Sequence, residues 1–189
     1  MPADAVSLFT VGHGTLAQAD LADLLTGAKV VSLVDIRTAP GSRRHPHVAR
    51  DELEVWLPAD GVAYRWERRL GGFRKAAPGS PNVALRHPSF RGYADHMRTP
   101  VFWEALDSVV ADAAERRVAV MCSETLWWRC HRRLVADAAV LARHVGVQHL
   151  GHDGRLSPHR LTDGVRLGDD GLLVYDVGGT GRLPGSGDR

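Results

Sequence analysis

The twelve residues from Cys122 to Arg133 hold both cysteines of the chain, a carboxylate, a histidine, two adjacent tryptophans and three arginines: Cys122-Ser123-Glu124-Thr125-Leu126-Trp127-Trp128-Arg129-Cys130-His131-Arg132-Arg133. A thiolate is a nucleophile and a metal ligand, and neighbouring cations favour it over the thiol. Cys122 closes the apolar run Val118 to Met121, so it reads as a nucleophile or redox thiol with Arg129 or Arg132 and a helix N-terminus beside it. The competing reading is an inert buried thiol. Cys130, at or inside the start of a helix, reads as structural. Glu124 is a candidate general acid or base if a partly dry cleft raises its pKa, and equally a partner for Arg129. His131 suits proton transfer, or simply a satisfied hydrogen bond. Both thiols with His131 or His13 form a minority zinc or iron set, but the Cys122 to Cys130 spacing matches no common finger pattern, so no metal or cofactor is expected.

Two distant loops add to this set. His13 stands between Gly12 and Gly14, whose missing side chains allow a ligand to approach the backbone. Asp35 either orients a histidine, holds a sugar hydroxyl or pairs with Arg37. The basic residues cluster in three places: Arg37, Arg43, Arg44, His45, His47 and Arg50; then Arg65, Arg68, Arg69, Arg74 and Lys75; then Arg129, Arg132 and Arg133. On one edge of a molecule these would draw phosphate, nucleotide or nucleic acid. Trp127 or Trp128 would stack on a base, with at least one of the pair packed in the core.

The elements that must position these residues follow from periodicity. Ala5 to Val11, Val30 to Ile36, Val62 to Trp66, Val118 to Met121 and Val147 to Leu150 read as five strands, the second being a nearly continuous apolar run of the buried parallel kind. Thr15 and Gln18 occupy capping-box positions ahead of the Leu21, Leu24 and Leu25 stripe, predicting a first helix. Asp51 to Leu57 predicts a second. Ser89 and Pro100 open two more, with Phe90, Tyr93, Ala94 and Met97 on one face of the former and Trp103, Leu106, Val109, Val110 and Ala113 on the latter. Cys130 to His144 predicts a strongly amphipathic helix. Arg68 to Pro88 is rich in Gly, Pro and basic residues and reads as a long functional or mobile loop. Leu172 to Tyr175 is a candidate edge strand, and 178–189 a Gly-rich tail after a single domain over 1–177.

The order β-α-β-α favours an α/β fold, a mostly parallel sheet with helices on both faces. Ligands of such sheets sit outside the carboxyl ends of the strands. His13, Asp35 with Arg37, and Cys122 with Glu124 are expected there, and His13, Asp35, Arg43, Cys122 and Glu124 are expected to line one cleft.

Composition bounds the reading. The chain has 189 residues, 44% hydrophobic and 24% charged, which suits one domain with a real core. Two cysteines argue against a disulfide framework, and Met1-Pro2-Ala3-Asp4 lacks the features of a signal peptide, so a cytoplasmic location is expected. No apolar run approaches the ~20 residues of a membrane span. The net charge of +2 says little about nucleic acid by itself. The oligomeric state is not legible in the chain.

Four motifs in order carry a resemblance: Val11-Gly12-His13-Gly14-Thr15; Val34-Asp35-Ile36-Arg37 with Pro40-Gly41-Ser42-Arg43-Arg44; Phe90-Arg91-Gly92-Tyr93-Ala94; and Met121-Cys122-Ser123-Glu124 with Trp128-Arg129-Cys130-His131-Arg132. The chain from the first strand through Leu150 resembles the domain-of-unknown-function family numbered 488. That resemblance implies an α/β cytoplasmic domain with the motif residues as its site, Tyr93 among them, and no agreed substrate. Thr125-Leu126-Trp127 departs from the small or proline-containing segment expected in relatives.

Three functional expectations follow. The first is an enzyme of nucleotide or nucleic-acid metabolism, in base repair or modification, using Cys122, Glu124 and His131, with His13 and Asp35 in support and arginines on phosphate. The second is a rhodanese-like sulfur or phosphoryl transferase, suggested by Val34-Asp35-Ile36-Arg37 and a cysteine at a later strand end, although Leu126, Trp127 and Trp128 replace a glycine-rich cradle. The third is a non-enzymatic nucleic-acid-binding module.

Overall fold

The computed structural model describes residues 7–178. The readings for Met1 to Asp4, for the first two residues of the first strand and for 179–189 lie outside them. Five strands form the parallel sheet: β1 (Ser7–Gly12), β2 (Ser32–Asp35), β3 (Ala63–Trp66), β4 (Val118–Cys122) and β5 (Gly146–Leu150). A sixth, β6 (Leu156–Pro158), adds antiparallel to β5, giving the order β3-β2-β4-β1-β5-β6. The helices are α1 (Gln18–Gly27), α2 (Arg50–Ala59), α3 (Pro88–His96), α4 (Pro100–Glu115) and α5 (Arg132–Arg143).

Side chains alternate across the strands, so the sheet has two buried faces. Phe9, Val11, Leu33, Ala119 and Met121 meet Leu21 and Leu25 of α1 and Leu53 and Leu57 of α2. Leu8, Val34, Val118, Val120 and Cys122 point the other way, toward Phe102 and Leu106 of α4 and Leu134, Val135 and Ala138 of α5. Burying each such aliphatic side chain contributes about 1.5–3 kcal/mol. Helices therefore cover both faces, as the continuous apolar strands require.

Several local readings need correction. Thr15 and Gln18 form no capping box: α1 begins at Gln18, with Ala17 at its N-cap and no side-chain cap. The helix expected from Cys130 begins at Arg132 instead, after a tight turn over Trp127–Arg129. Cys130 thus precedes the helix, and its buried sulfur accepts from the Arg132 N–H at the helix's first turn (3.5 Å). Leu172 to Tyr175 is no edge strand of the main sheet. Leu173–Tyr175 (β8) pairs with Val165–Leu167 (β7) in a separate ribbon, and all three β8 residues are buried. The main sheet's edges are β3 and β6, the latter a short strand with no periodic signal.

A buried polar chain fastens this ribbon and β6 to α5. Thr10 Oγ1 donates to His149 Nδ1 (2.6 Å), His149 Nε2 to His159 Nδ1 (2.9 Å) and His159 Nε2 to Asp137 Oδ1 (2.9 Å). Asp137 also accepts from Tyr175 Oη and the Thr162 backbone N–H. Burial, then His159 and Arg132, lower the His149 pKa to about 3, so its ring is neutral. Trp127 stacks on that ring, 4.0 Å between centroids and 7° from parallel, which anchors the loop between β4 and α5.

Candidate active site at the strand ends

β2, β4 and β1 are consecutive parallel neighbours, with Asp35 opposite Met121 and Gly12 opposite Cys122. The carboxyl ends of these strands therefore lie side by side, and backbone bonds stitch their loops together: His13 N–H to Cys122 O (3.0 Å), Gly14 N–H to Ser123 O (2.9 Å) and Ile36 N–H to Met121 O (2.9 Å). Gly12 is required here by contact. A Cβ at that position would stand 1.8 Å from the Glu124 carbonyl oxygen.

A cavity of about 470 Å3 opens over this edge, within the ~300–1,000 Å3 typical of small-molecule sites. Its wall includes Cys122, Cys130, His131 and Tyr93, and its rim Glu124, Trp128 and Arg129. His131 Nδ1 lies 3.8 Å from Cys122 Sγ and 3.6 Å from Cys130 Sγ. Its Nε2 is 3.2 Å from the Ile36 carbonyl, which only accepts, so Nε2 carries a hydrogen and Nδ1 faces the two sulfurs. The Tyr93 ring backs the imidazole at 5.0 Å, and Tyr93 Oη donates to Leu70 O (2.7 Å). Tyr93 thus positions His131 from inside the core.

The two thiols share a proton unequally. Donation of the Cys122 S–H to Cys130, reinforced by burial, pushes the Cys122 pKa well up. Burial acts against ionisation of Cys130 too, but the hydrogen bond from Cys122, with His131 and Arg132 nearby, outweighs it and holds Cys130 well below the usual thiol range. Within the pair, ionisation is therefore favoured at Cys130 over Cys122. Such an arrangement can pass a proton between sulfur and imidazole, present a thiolate to an electrophile, or offer two sulfurs and a nitrogen to a metal ion.

His13 and Asp35 stand behind this wall. Asp35 is fully buried and holds Arg37 through Nε and Nη2, the latter at 2.5 Å, while Tyr64 donates to the same carboxylate. Arg37 Nη2 also reaches Val48 O, and Nη1 meets His13 Nε2 at 3.3 Å. His13 Nδ1 in turn donates to Gly14 O. Burial, then Arg37, lower the His13 pKa to about 4, so it is neutral at physiological pH. Asp35 is accordingly the salt-bridge partner of Arg37, and Arg37, although it borders the cavity, has its donors committed within the fold.

The expected single cleft holds for Cys122 and Glu124 but not for His13, Asp35 or Arg43. Arg43 and Arg44 are exposed and lie outside the cavity wall. Arg132 is buried, and its guanidinium donates to the carbonyls of Glu124 and Thr125, fixing the loop instead of facing a ligand. Glu124 is exposed and makes no ion pair with Arg129. Arg129 is exposed too, and its guanidinium makes no hydrogen bond or ion pair among the described residues.

Sequence reasoning passed over Phe73, which forms part of the rim. Its backbone is left-handed (φ 57°), and its ring is 93% exposed. That conformation costs a bulky residue about 1–2 kcal/mol. Gly71-Gly72 before it was the available clue. Alanine at 72 would place a Cβ 3.0 Å from His131 Nδ1.

The family described as domain of unknown function DUF488 matches residues 18–139. The chain belongs to the DUF488 family. The matched segment contains Asp35, Arg37, Tyr93 and the whole Cys122 to Arg133 cluster, whereas His13 precedes it. Searches of curated proteins and of solved structures found no match for this DUF488 chain. Among its described residues no helix is long and apolar enough to cross a membrane.

Proposed function

We propose that this protein is an enzyme acting on a nucleotide or nucleic acid, with the base held over the Cys122, Cys130 and His131 cluster. The observation that carries this reading is the aromatic and cationic rim around that cluster. Phe73 and Trp128 expose 93% and 50% of their surface beside the cavity, and Arg129 stands free between the rim and solvent. Exposed rings are stacking platforms for a planar base, and a free guanidinium suits a phosphate.

A second groove of about 900 Å3 continues from the first and shares His87, Phe90 and Trp128 with it. Arg86, Arg133 and Arg160 border it, a path for a charged backbone leading away from the base site. This favours nucleic acid over a free nucleotide. The rhodanese-like alternative draws less support, because bulky Leu126, Trp127 and Trp128 stand in the loop after Cys122 where a glycine-rich cradle for an oxyanion would be needed.

Fluorescence anisotropy with a labelled single-stranded oligonucleotide tests the reading. Binding should weaken steeply with salt. Phe73→Ala and Trp128→Ala should each lower affinity by about 5–150-fold, equivalent to the ~1–3 kcal/mol of a base stack. Salt-insensitive binding, or equal affinity in wild type and the double variant, would remove this function.

A further inference from the structure

The reactive centre of the preceding reading has a more specific occupant. We propose that Cys122 Sγ, Cys130 Sγ and His131 Nδ1 bind one zinc ion, with a fourth coordination position open to the cavity. The three donor atoms lie within 4.8 Å of one another. Tetrahedral zinc, with Zn–S of ~2.3 Å and Zn–N of ~2.0–2.1 Å, sets sulfur-to-nitrogen edges at about 3.6 Å and the sulfur-to-sulfur edge at about 3.8 Å. The sulfur-to-nitrogen distances here are 3.8 and 3.6 Å. Closing onto an ion therefore moves the sulfurs by no more than about 1 Å.

Hydrogen bonding alone accounts for this convergence less well. Nδ1 can make one good hydrogen bond, as donor or as acceptor, yet two sulfurs converge on it at 3.8 and 3.6 Å. A cation satisfies all three donors together. The far side of the ring is prepared in the manner of metal-bound histidines: Nε2–H donates to the Ile36 carbonyl, fixing tautomer and orientation. Two thiolates also neutralise a dication, so the filled site adds no net charge beside buried Arg132. Two sulfurs and one nitrogen in a tetrahedron select zinc over harder ions.

The placement indicates an open, catalytic type of site. Cys122 comes from the end of β4, and Cys130 and His131 from the turn before α5, all three bordering the cavity. Gly72 lies over Nδ1 without a side chain to cover that approach. Three protein ligands plus water or substrate is the pattern of catalytic zinc, whereas structural sites close with a fourth residue.

Metal-free full-length protein, loaded separately with Zn2+ and Co2+, provides the test. One zinc per chain should be retained after desalting, and the cobalt form should show thiolate-to-cobalt charge transfer with the visible bands of a tetrahedral ion. Cys130→Ser and His131→Ala should lose both while keeping the wild-type far-ultraviolet circular dichroism. Because a variant can fail to fold, the native chain carries a second readout: bound Zn2+ should shield both thiols from a thiol-titrating disulfide reagent. Retention of iron but not zinc, no charge-transfer band, or thiols equally reactive with and without Zn2+ would overturn the zinc assignment. Oligonucleotide binding measured on the same samples stands apart, so the nucleic-acid reading can survive the loss of the metal.

Discussion

His13 shows how one side chain couples the site to pH. Its ring accepts from Arg37 and donates to Gly14, an arrangement available only to neutral imidazole, and its pKa lies at about 4 against an ordinary 6.5. Above pH 6.5 neither the folded nor the unfolded chain protonates it, and its environment costs nothing. Between 6.5 and 4 the unfolded chain takes up the proton first, so stability falls with pH across that window by about 3 kcal/mol. Urea unfolding at pH 7 and pH 4.5 should therefore show a smaller acid loss in His13→Gln than in wild type; equal losses would contradict this account. The two cysteines illustrate what residue type alone conveys. Their closeness to His131 is legible in the sequence, but which sulfur ionises more readily depends on hydrogen-bond direction and on His131 and Arg132 nearby. Asp35 and Arg37 were legible as a possible salt bridge, and burial resolves that choice.

At the scale of elements, the strand runs and their order placed the Gly12, Asp35 and Cys122 loops on one sheet edge, because parallel strands joined by crossover helices leave few arrangements. Boundaries were less legible. The turn over Trp127–Arg129 and the strands beyond Gly151 owe their form to tertiary contacts, notably the Trp127 stack on His149 and the Asp137, His159 and Tyr175 chain, which leave no period. The edge also explains Gly12, where β1 and the Glu124 carbonyl meet too closely for a side chain. Gly12→Ala should push the Cys122 to Thr125 segment outward, destabilise the chain by about 1–3 kcal/mol and lower oligonucleotide affinity in the folded fraction. Gly27→Ala is the matched control, since a Cβ there meets nothing within 4 Å. Thermal unfolding of the pair decides it: a Gly12→Ala protein as stable as Gly27→Ala would show that the loops are not locked as described.

For the whole molecule, a net charge of +2 conceals an uneven surface. Arginines counted together in sequence separate in three dimensions: Arg37 and Arg132 brace the fold from within, Arg43 and Arg44 lie apart, and Arg129, Arg86 and Arg160 face the connected cavities. A run of basic residues does not reveal which guanidinium is already bonded, and an exposed Phe73 in a Gly-rich loop gives no periodic signal. The central claim is that ligand and thiol–imidazole cluster occupy one cavity. Alkylation of the metal-free protein by iodoacetamide, mapped by peptide mass spectrometry with and without a single-stranded oligonucleotide, tests it most directly. Cys130 should react ahead of Cys122 and below the usual thiol pH range, bound oligonucleotide should slow it in proportion to occupancy, and Trp128→Ala should weaken that protection. An oligonucleotide that binds while leaving the Cys130 rate unchanged would contradict the account.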